Sequence, residues 1–270
     1  MVVLERPEIP GERSPKMRYI QIIFSPVGGT ARTAEIMTSV WSESVETVDL
    51  TDPSLDFSKY SFEKEDTVLV AMPSYGGRVP EPAALRLSRI KGNSASCVLL
   101  CVYGNRAYED TLVEMQDIAR ECGFRVVAAV AAVAEHSIMH QYATGRPDRA
   151  DTKQLTDFAA AIQEKIEKGA AGEEPVLPGN RPYKKYGGVG LVPKPTKDCV
   201  NCGMCAARCP AQAISRDNSK NVDSGKCISC MRCTAECPGR ARKVMEGIVA
   251  VAALKMKKVC SVRKECELFI

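Results

Sequence analysis

Cys199-Val200-Asn201-Cys202-Gly203-Met204-Cys205-Ala206-Ala207-Arg208-Cys209-Pro210 is answered by Cys227-Ile228-Ser229-Cys230-Met231-Arg232-Cys233-Thr234-Ala235-Glu236-Cys237-Pro238. Both stretches read C-x-x-C-x-x-C-x-x-x-C-P, the spacing at which thiolates hold iron–sulfur clusters. Three cysteines this close on a tight loop can face three corners of one [4Fe–4S] cubane, while the fourth points away. Gly203, Ala206 and Ala207 leave room for backbone near sulfur. The two runs form an internal repeat, which implies two similar halves folded around the metals. Disulfides would need an oxidising compartment, and these cysteines cluster at metal spacing instead. Zinc sites use separated pairs or mixed Cys/His sets. Two four-cysteine runs, each closed by proline, therefore point to one-electron transfer.

The doubled run resembles that of the bacterial two-cluster ferredoxins. The resemblance implies crossed ligation, the fourth cysteine of each run serving the other cluster. Cys199, Cys202, Cys205 and Cys237 would hold one cluster, and Cys227, Cys230, Cys233 and Cys209 the other. The fourth cysteine of each run is expected to open a short helical segment.

With 270 residues the chain holds one ordinary domain and a small one. Its 45% hydrophobic content is ample for a packed core. No apolar run approaches the ~18 residues needed to span a bilayer. Residues 1–16 carry Glu5, Arg6, Glu8, Glu12 and three prolines, which reads as a loosely draped extension and not as a signal peptide. So many free or metal-bound thiols suit a reducing cytoplasm. The charge is uneven: residues 190–245 carry 10 basic and 4 acidic side chains, residues 1–189 carry 22 and 26. The basic segment offsets the negative charge of thiolate-bound clusters and suits an acidic redox partner. Its charges are scattered and lack an aromatic stacking platform, which argues against nucleic acid.

Upstream, strand and helix signals alternate. Strands are expected at 18–24, 45–50, 67–72, 96–102 and 125–133, and helices at 30–41, 108–122 and 151–168. The last of these carries Leu155, Phe158, Ala159, Ile162 and Ile166 on one face. Continuous apolar strands alternating with helices imply a parallel sheet covered on both faces. Ligands of such sheets bind outside the carboxyl ends of the strands. Three loops leave those ends. Ser25-Pro26-Val27-Gly28-Gly29-Thr30 opens a helix and makes an anion cradle, because backbone N–H groups and the helix dipole favour phosphate. It is neither a Walker motif nor a dinucleotide fingerprint. Pro73-Ser74-Tyr75-Gly76-Gly77-Arg78 and Tyr103-Gly104-Asn105-Arg106-Ala107-Tyr108 each set an aromatic beside glycine, suited to flank a planar ring or to pack as a lid.

These motifs resemble the flavodoxin-type FMN-binding domains, with sheet order 2-1-3-4-5. Joined to the cluster module, they are similar to the EFR-type flavodoxin–ferredoxin fusion family of anaerobic bacteria, a likeness that reaches the ending Glu267-Leu268-Phe269-Ile270. The resemblance implies an α/β, doubly wound, five-stranded parallel sheet followed by a small α+β two-cluster domain. It implies FMN, with Ser25, Gly28, Gly29 and Thr30, beside Val27, at its phosphate. Pro73, Ser74, Tyr75, Gly76 and Gly77 would meet the isoalloxazine from one side, and Tyr103, Gly104, Asn105, Arg106 and Tyr108 from the other. One departure stands out. Such loops commonly have Thr at Val27 and Asn at Gly29; the lost hydroxyl leaves weaker binding or more backbone donors.

The expected organisation is an extension over 1–17, the flavodoxin-like domain over 18–168, a Gly- and Pro-rich linker over 169–189, the cluster domain over 190–245, and a helix and tail over 246–270. An amphipathic helix over 241–259 would dock through Ile248, Val249, Val251, Leu254 and Val259 and hold the cluster-to-flavin distance. His136 reads as a surface or capping residue or as a proton carrier at the flavin. Arg78 and Arg106 either pair with flavin oxygens or solvate their loops. Cys97, Cys101 and Cys122 read as small core residues, Cys260 and Cys266 as packing or exposed thiols, and Trp41 as packing. The leading functional expectation is an electron-transfer flavoprotein linking a ferredoxin-like donor to a partner oxidoreductase. The alternatives are an FMN-dependent reductase of a small organic acceptor, or a redox sensor or docking module without flavin.

Overall fold

The computed structural model describes residues 17–169, 174–187 and 190–270, so the extension over 1–16 and part of the linker lie outside the described residues. The elements run β1 (Tyr19–Ile23), α1 (Gly29–Trp41), β2 (Glu46–Asp49), β3 (Thr67–Pro73), α2 (Glu81–Leu87), β4 (Ser96–Tyr103), α3 (Thr111–Glu121), β5 (Arg125–Val133) and α4 (Arg149–Glu167). There follow β6 (Lys194–Pro195), α5 (Met204–Ala207), α6 (Arg232–Ala235), β7 (Arg242–Lys243), α7 (Glu246–Cys260) and β8 (Glu267–Phe269).

The apolar runs at 67–73 and 96–103 are buried along their whole length, as central strands of a covered parallel sheet must be. Alternate side chains divide between two cores. Leu69 and Ala71 face α1 and α4, with Met37, Trp41, Leu155 and Ile162. Val68, Val70 and Met72 face the other side, with Leu87, Leu112 and Met115 of α2 and α3. Trp41 Nε1 donates to the Ala159 carbonyl at 2.9 Å, which ties α1 to α4. Cys97 and Cys101 are fully buried in β4.

The sheet order is 2-1-3-4-5-8. The first five strands are parallel, in the doubly wound flavodoxin-like order. The sixth is an addition to the expected five. Glu267–Phe269 returns from the chain's far end and pairs antiparallel with β5, Val130 opposite Leu268, and so covers an edge that would otherwise expose unpaired backbone groups. Arg263 fastens the turn before it, its Nη1 2.7 Å from Asp148 and its Nη2 3.1 Å from Asp151 at the capped start of α4.

Residues 174–187, within the expected linker, form a strap along α3: Asp110 accepts from the Asn180 and Lys184 amides, and Asp117 accepts from Arg181 and Tyr183. Arg78 neither solvates its loop nor reaches into the cleft described below. It is buried, bidentate to Glu114 at 2.8 Å, and held between the Tyr183 and Tyr186 rings.

Helix α7 begins later than expected, because Arg242–Lys243 forms a strand with β6. It docks by a different face. Val249, Ala253, Met256 and Cys260 pack on Met139, Tyr142 and Leu191, and Tyr142 donates to the Ala253 carbonyl at 2.6 Å. Of the expected docking residues only Val249 takes part; Ile248, Val251, Leu254 and Val259 are exposed. No helix among the described residues is long and apolar enough to cross a membrane.

Candidate cluster cages and flavin cleft

The cysteines gather around two cavities, each drawing on both runs. Cys199, Cys202, Cys205 and Cys237 line one, with Gly203, Gly239 and Arg242. Cys227, Cys230, Cys233 and Cys209 line the other, with Ile214, Val222 and Ile228. These are the crossed sets of the repeat. Among the described residues no three ligand side chains close on a single point, as one ion would need; the thiols ring cavities instead. Short helices place the third cysteine of each run, Cys205 in α5 and Cys233 in α6. The expectation that the fourth opens a helix is corrected: Cys209 and Cys237 sit in the turns that follow, where proline ends the helix. There each sulfur accepts a backbone N–H, Cys209 from Ala213 at 3.3 Å and Cys237 from Ala241 at 3.2 Å. Such bonds favour the thiolate that iron requires.

The two cages differ in burial. Cys209 and Cys230 are buried, and burial pushes the Cys230 and Cys233 thiols up to about 12. Those two reach the thiolate form at neutral pH through iron, whose binding expels the proton. In the other cage Cys202 is exposed, and Val200 and Met204 beside it also face solvent. The first cage is therefore the outer one, and the second the inner one.

The inner cage abuts a cleft of about 170 Å³ at the carboxyl ends of the parallel strands. Its floor comes from Ser25, Pro26, Val27, Gly29 and Thr30, from Pro73 to Gly76, and from Val102 to Gly104 with Arg106. Ala134 to Ile138, after β5, close one side. The opposite wall is Ile228 and Ser229, the two residues between Cys227 and Cys230 of the inner cage, together with Met256 of α7.

Helix α1 starts at this cleft with Gly28 at φ 90°, a left-handed turn that a residue with a Cβ would strain to adopt. Gly28, the N-cap residue, has no side chain to cap the helix. The Ser25 hydroxyl accepts from Ala31 N–H at 3.0 Å and keeps its own proton to donate. Tyr75 is half-buried, and burial, followed by the nearby Cys230 thiol, pushes its hydroxyl well up. Gly104 is required by space, since a Cβ there would lie 2.7 Å from the His136 ring. His136 was read chiefly as a surface or capping residue, yet it lines the cleft. Its Nδ1 accepts the Ile138 and Met139 amides at 3.2 Å, which leaves the proton on Nε2, and burial holds its pKa down. Only its position after the fifth strand hinted at this.

Gly28, Gly77, Asn105 and Tyr108 lie outside the cleft lining. Asn105 turns to the tail, donating to the Cys260 and Val262 carbonyls at 2.7 and 2.9 Å. Tyr108 donates to Glu267 at 3.0 Å, and Gly77 sits beneath the Glu109 carboxylate. Arg106 lines the cleft but spends Nη1 on Glu109 at 2.8 Å. Cys260 and Cys266 are buried packing residues.

Residues 198–242 match the family model of a 4Fe-4S dicluster domain. The chain thus joins a parallel α/β sheet of flavodoxin-like strand order to a segment that matches a 4Fe-4S dicluster domain. Two [4Fe–4S] clusters follow from that match and from the crossed cages. Among solved structures the chain is similar to a flavodoxin of Streptococcus pneumonia TIGR4, with 18% identity and a TM-score of 0.41 over 54% of this chain and 99% of that one. It is also similar to a flavodoxin from the domain Archaea (15% identity, TM-score 0.38, 56% and 99% covered) and to the two-electron reduced flavodoxin of Megasphaera elsdenii (18%, 0.33, 53% and 98%). No curated protein matches the chain in sequence.

Proposed function

We propose that this protein is an electron-transfer iron–sulfur flavoprotein that relays single electrons between a partner, the outer cluster, the inner cluster and FMN. The observation that carries this reading is the shared wall: Ile228 and Ser229 line the cleft and lie between two inner-cage ligands. A group in the cleft would thus sit one residue from cluster-binding sulfur.

The cleft suits FMN. The amides at the N-terminus of α1 ahead of Ala31 and the Ser25 hydroxyl proton supply donors for a phosphate, which supports binding through backbone groups despite Val27. Tyr75 and Tyr103 line the part suited to the ring, and His136 Nε2–H is a donor within the same lining. FMN accepts one or two electrons, so it would couple one-electron cluster chemistry to a two-electron partner. The chain itself orients that ring, limits water at it, and keeps a neutral imidazole beside it.

The basic excess of residues 190–245 and the exposed Val200 and Met204 beside the outer cage support docking of an acidic redox protein, a ferredoxin-like donor or an acceptor oxidoreductase in a cytoplasmic setting. A second reading, an FMN-dependent reductase of a small organic acceptor, draws on an adjoining crevice of about 650 Å³ lined by Arg32, His140 and Arg146. Anaerobic purification with iron, sulfide and flavin analysis tests the proposal. It expects about eight irons and about one FMN per chain, reduced in resolved steps. Iron without bindable FMN refutes it, and turnover of an organic acceptor without a protein partner favours the second reading.

A further inference from the structure

The internal repeat makes each half a control for the other. Aligning Cys209-Pro210 with Cys237-Pro238 sets Ala213 opposite Ala241 and Ile214 opposite Arg242. The two alanine amides make equivalent bonds to sulfur, at 3.3 and 3.2 Å. The next position breaks the symmetry. Ile214 packs in the apolar core of the inner cage. Arg242, only 3% exposed, places Nε 3.2 Å from Cys205 Sγ in the outer cage. Its other nitrogens donate to the carbonyls of Pro193 and Ser219.

A buried guanidinium ordinarily has an anion to pair with, because leaving it unpaired out of water is costly. Among the described residues the partners of Arg242 are two neutral carbonyls and a ligand sulfur. A cluster held by Cys205 would supply its counter-ion. The arginines near the inner cage are differently committed. Arg232 pairs with Glu236 at 3.1 Å while its charge also reaches Cys230, and Arg86 donates to the Pro210 carbonyl and faces Asp49 and Asp52 as well as Cys209; neither donates to a cage sulfur among the described residues. The field of Arg242 also reaches Cys227 and Cys233, but its direct contact is with Cys205.

We propose that Arg242 raises the reduction potential of the outer cluster above that of the inner one, so that an electron inside the protein settles on the outer cluster. Positive charge and hydrogen bonds to ligand sulfur stabilise the reduced, more negative form. In the step, the inner cluster loses one electron and the outer cluster gains it; no bond breaks and no proton moves. Flow then favours outward delivery, to the surface that carries Cys202, Val200 and Met204. The proposal rests on the two-cluster assignment and not on the flavin.

The test is an anaerobic redox titration followed by low-temperature electron paramagnetic resonance, with iron counted on every sample. In the wild-type protein carrying guanidino-¹⁵N arginine, the cluster reduced first is expected to show coupling to a guanidinium nitrogen. Coupling that appears only with the second electron overturns the proposal. Arg242→Ile, which restores the repeat, is expected to shift the one-electron equilibrium between the clusters at least tenfold toward the inner one, about 59 mV. Arg242→Lys should recover part of the shift. An unchanged equilibrium in an iron-replete Arg242→Ile protein refutes the idea. If the variants fail to load iron, the isotope measurement decides alone, and missing iron in the wild type itself points instead to failure of the cluster assignment.

Discussion

Asn105→Ala separates two roles for one residue. By resemblance Asn105 belongs at the flavin; in the structure it is a clamp on the tail. Its side-chain amide donates to the Cys260 and Val262 carbonyls at 2.7 and 2.9 Å, and its oxygen accepts the Lys264 amide at 3.3 Å. The alanine variant removes all three bonds. Val262 is exposed, so water can replace Asn105 there, whereas buried Cys260 keeps an orphaned carbonyl. At about 1 kcal/mol for each bond lost without replacement, plus the desolvation of that carbonyl, the cost is about 2 kcal/mol. Because the tail is joined to the domain through β8, the loss falls on local opening of the segment before it. Opening should rise about 25-fold. Hydrogen exchange read by mass spectrometry over residues 261–269 measures this directly, with β1 peptides as the unaffected control. Unchanged exchange over residues 261–266 together with a loss of FMN affinity would refute the clamp and restore the flavin contact.

Three further outcomes follow from particular contacts. Arg78→Met strands Glu114 in the core and should cost about 3–5 kcal/mol in urea unfolding, with Arg78→Lys recovering only part because the fork geometry is lost. Cys230→Ala should lower iron from about eight to about four per chain and stop electrons from reaching the flavin; retention of all the iron would contradict the crossed cages. The Arg263 guanidinium holds the Asp148 carboxyl below its usual range. Since the folded value is depressed, its contribution is fully present above about pH 4, the ordinary carboxylate value, and fades as pH falls through the folded value. Protection of the tail amides, taken relative to their intrinsic exchange rates at each pH, should therefore fall in acid in the wild type, and less so in Arg263→Ala.

What could be read from the chain alone was local. Cysteine spacing is a statement about a tight loop, and it carried the two clusters because ligands three residues apart must face a common centre. The apolar runs of β3, β4 and β5 carried the parallel sheet because strands buried on both faces have no alternative partner than helices. The elements missed were those whose signal is not local. Glu267–Phe269 is too short and too charged to read as a strand, and it becomes one only because β5 offers an open edge. Arg78 looked like a loop residue because Glu114, Tyr183 and Tyr186 are distant in sequence.

By itself, then, the sequence pointed to the metal chemistry and to a parallel sheet covered on both faces, since both arise from residues close along the chain or from periodicity; the order of the strands was only what the resemblance implied. Tertiary structure alone decided which cage is inner and which outer, that Ile228 and Ser229 wall the cleft at the strand ends, that His136 lines it and Asn105 does not, and that α7 docks by Val249, Ala253, Met256 and Cys260. Those outcomes depend on how two separately patterned domains meet. The meeting is set by long-range contacts between side chains whose spacing along the chain bears no relation to their distance in space.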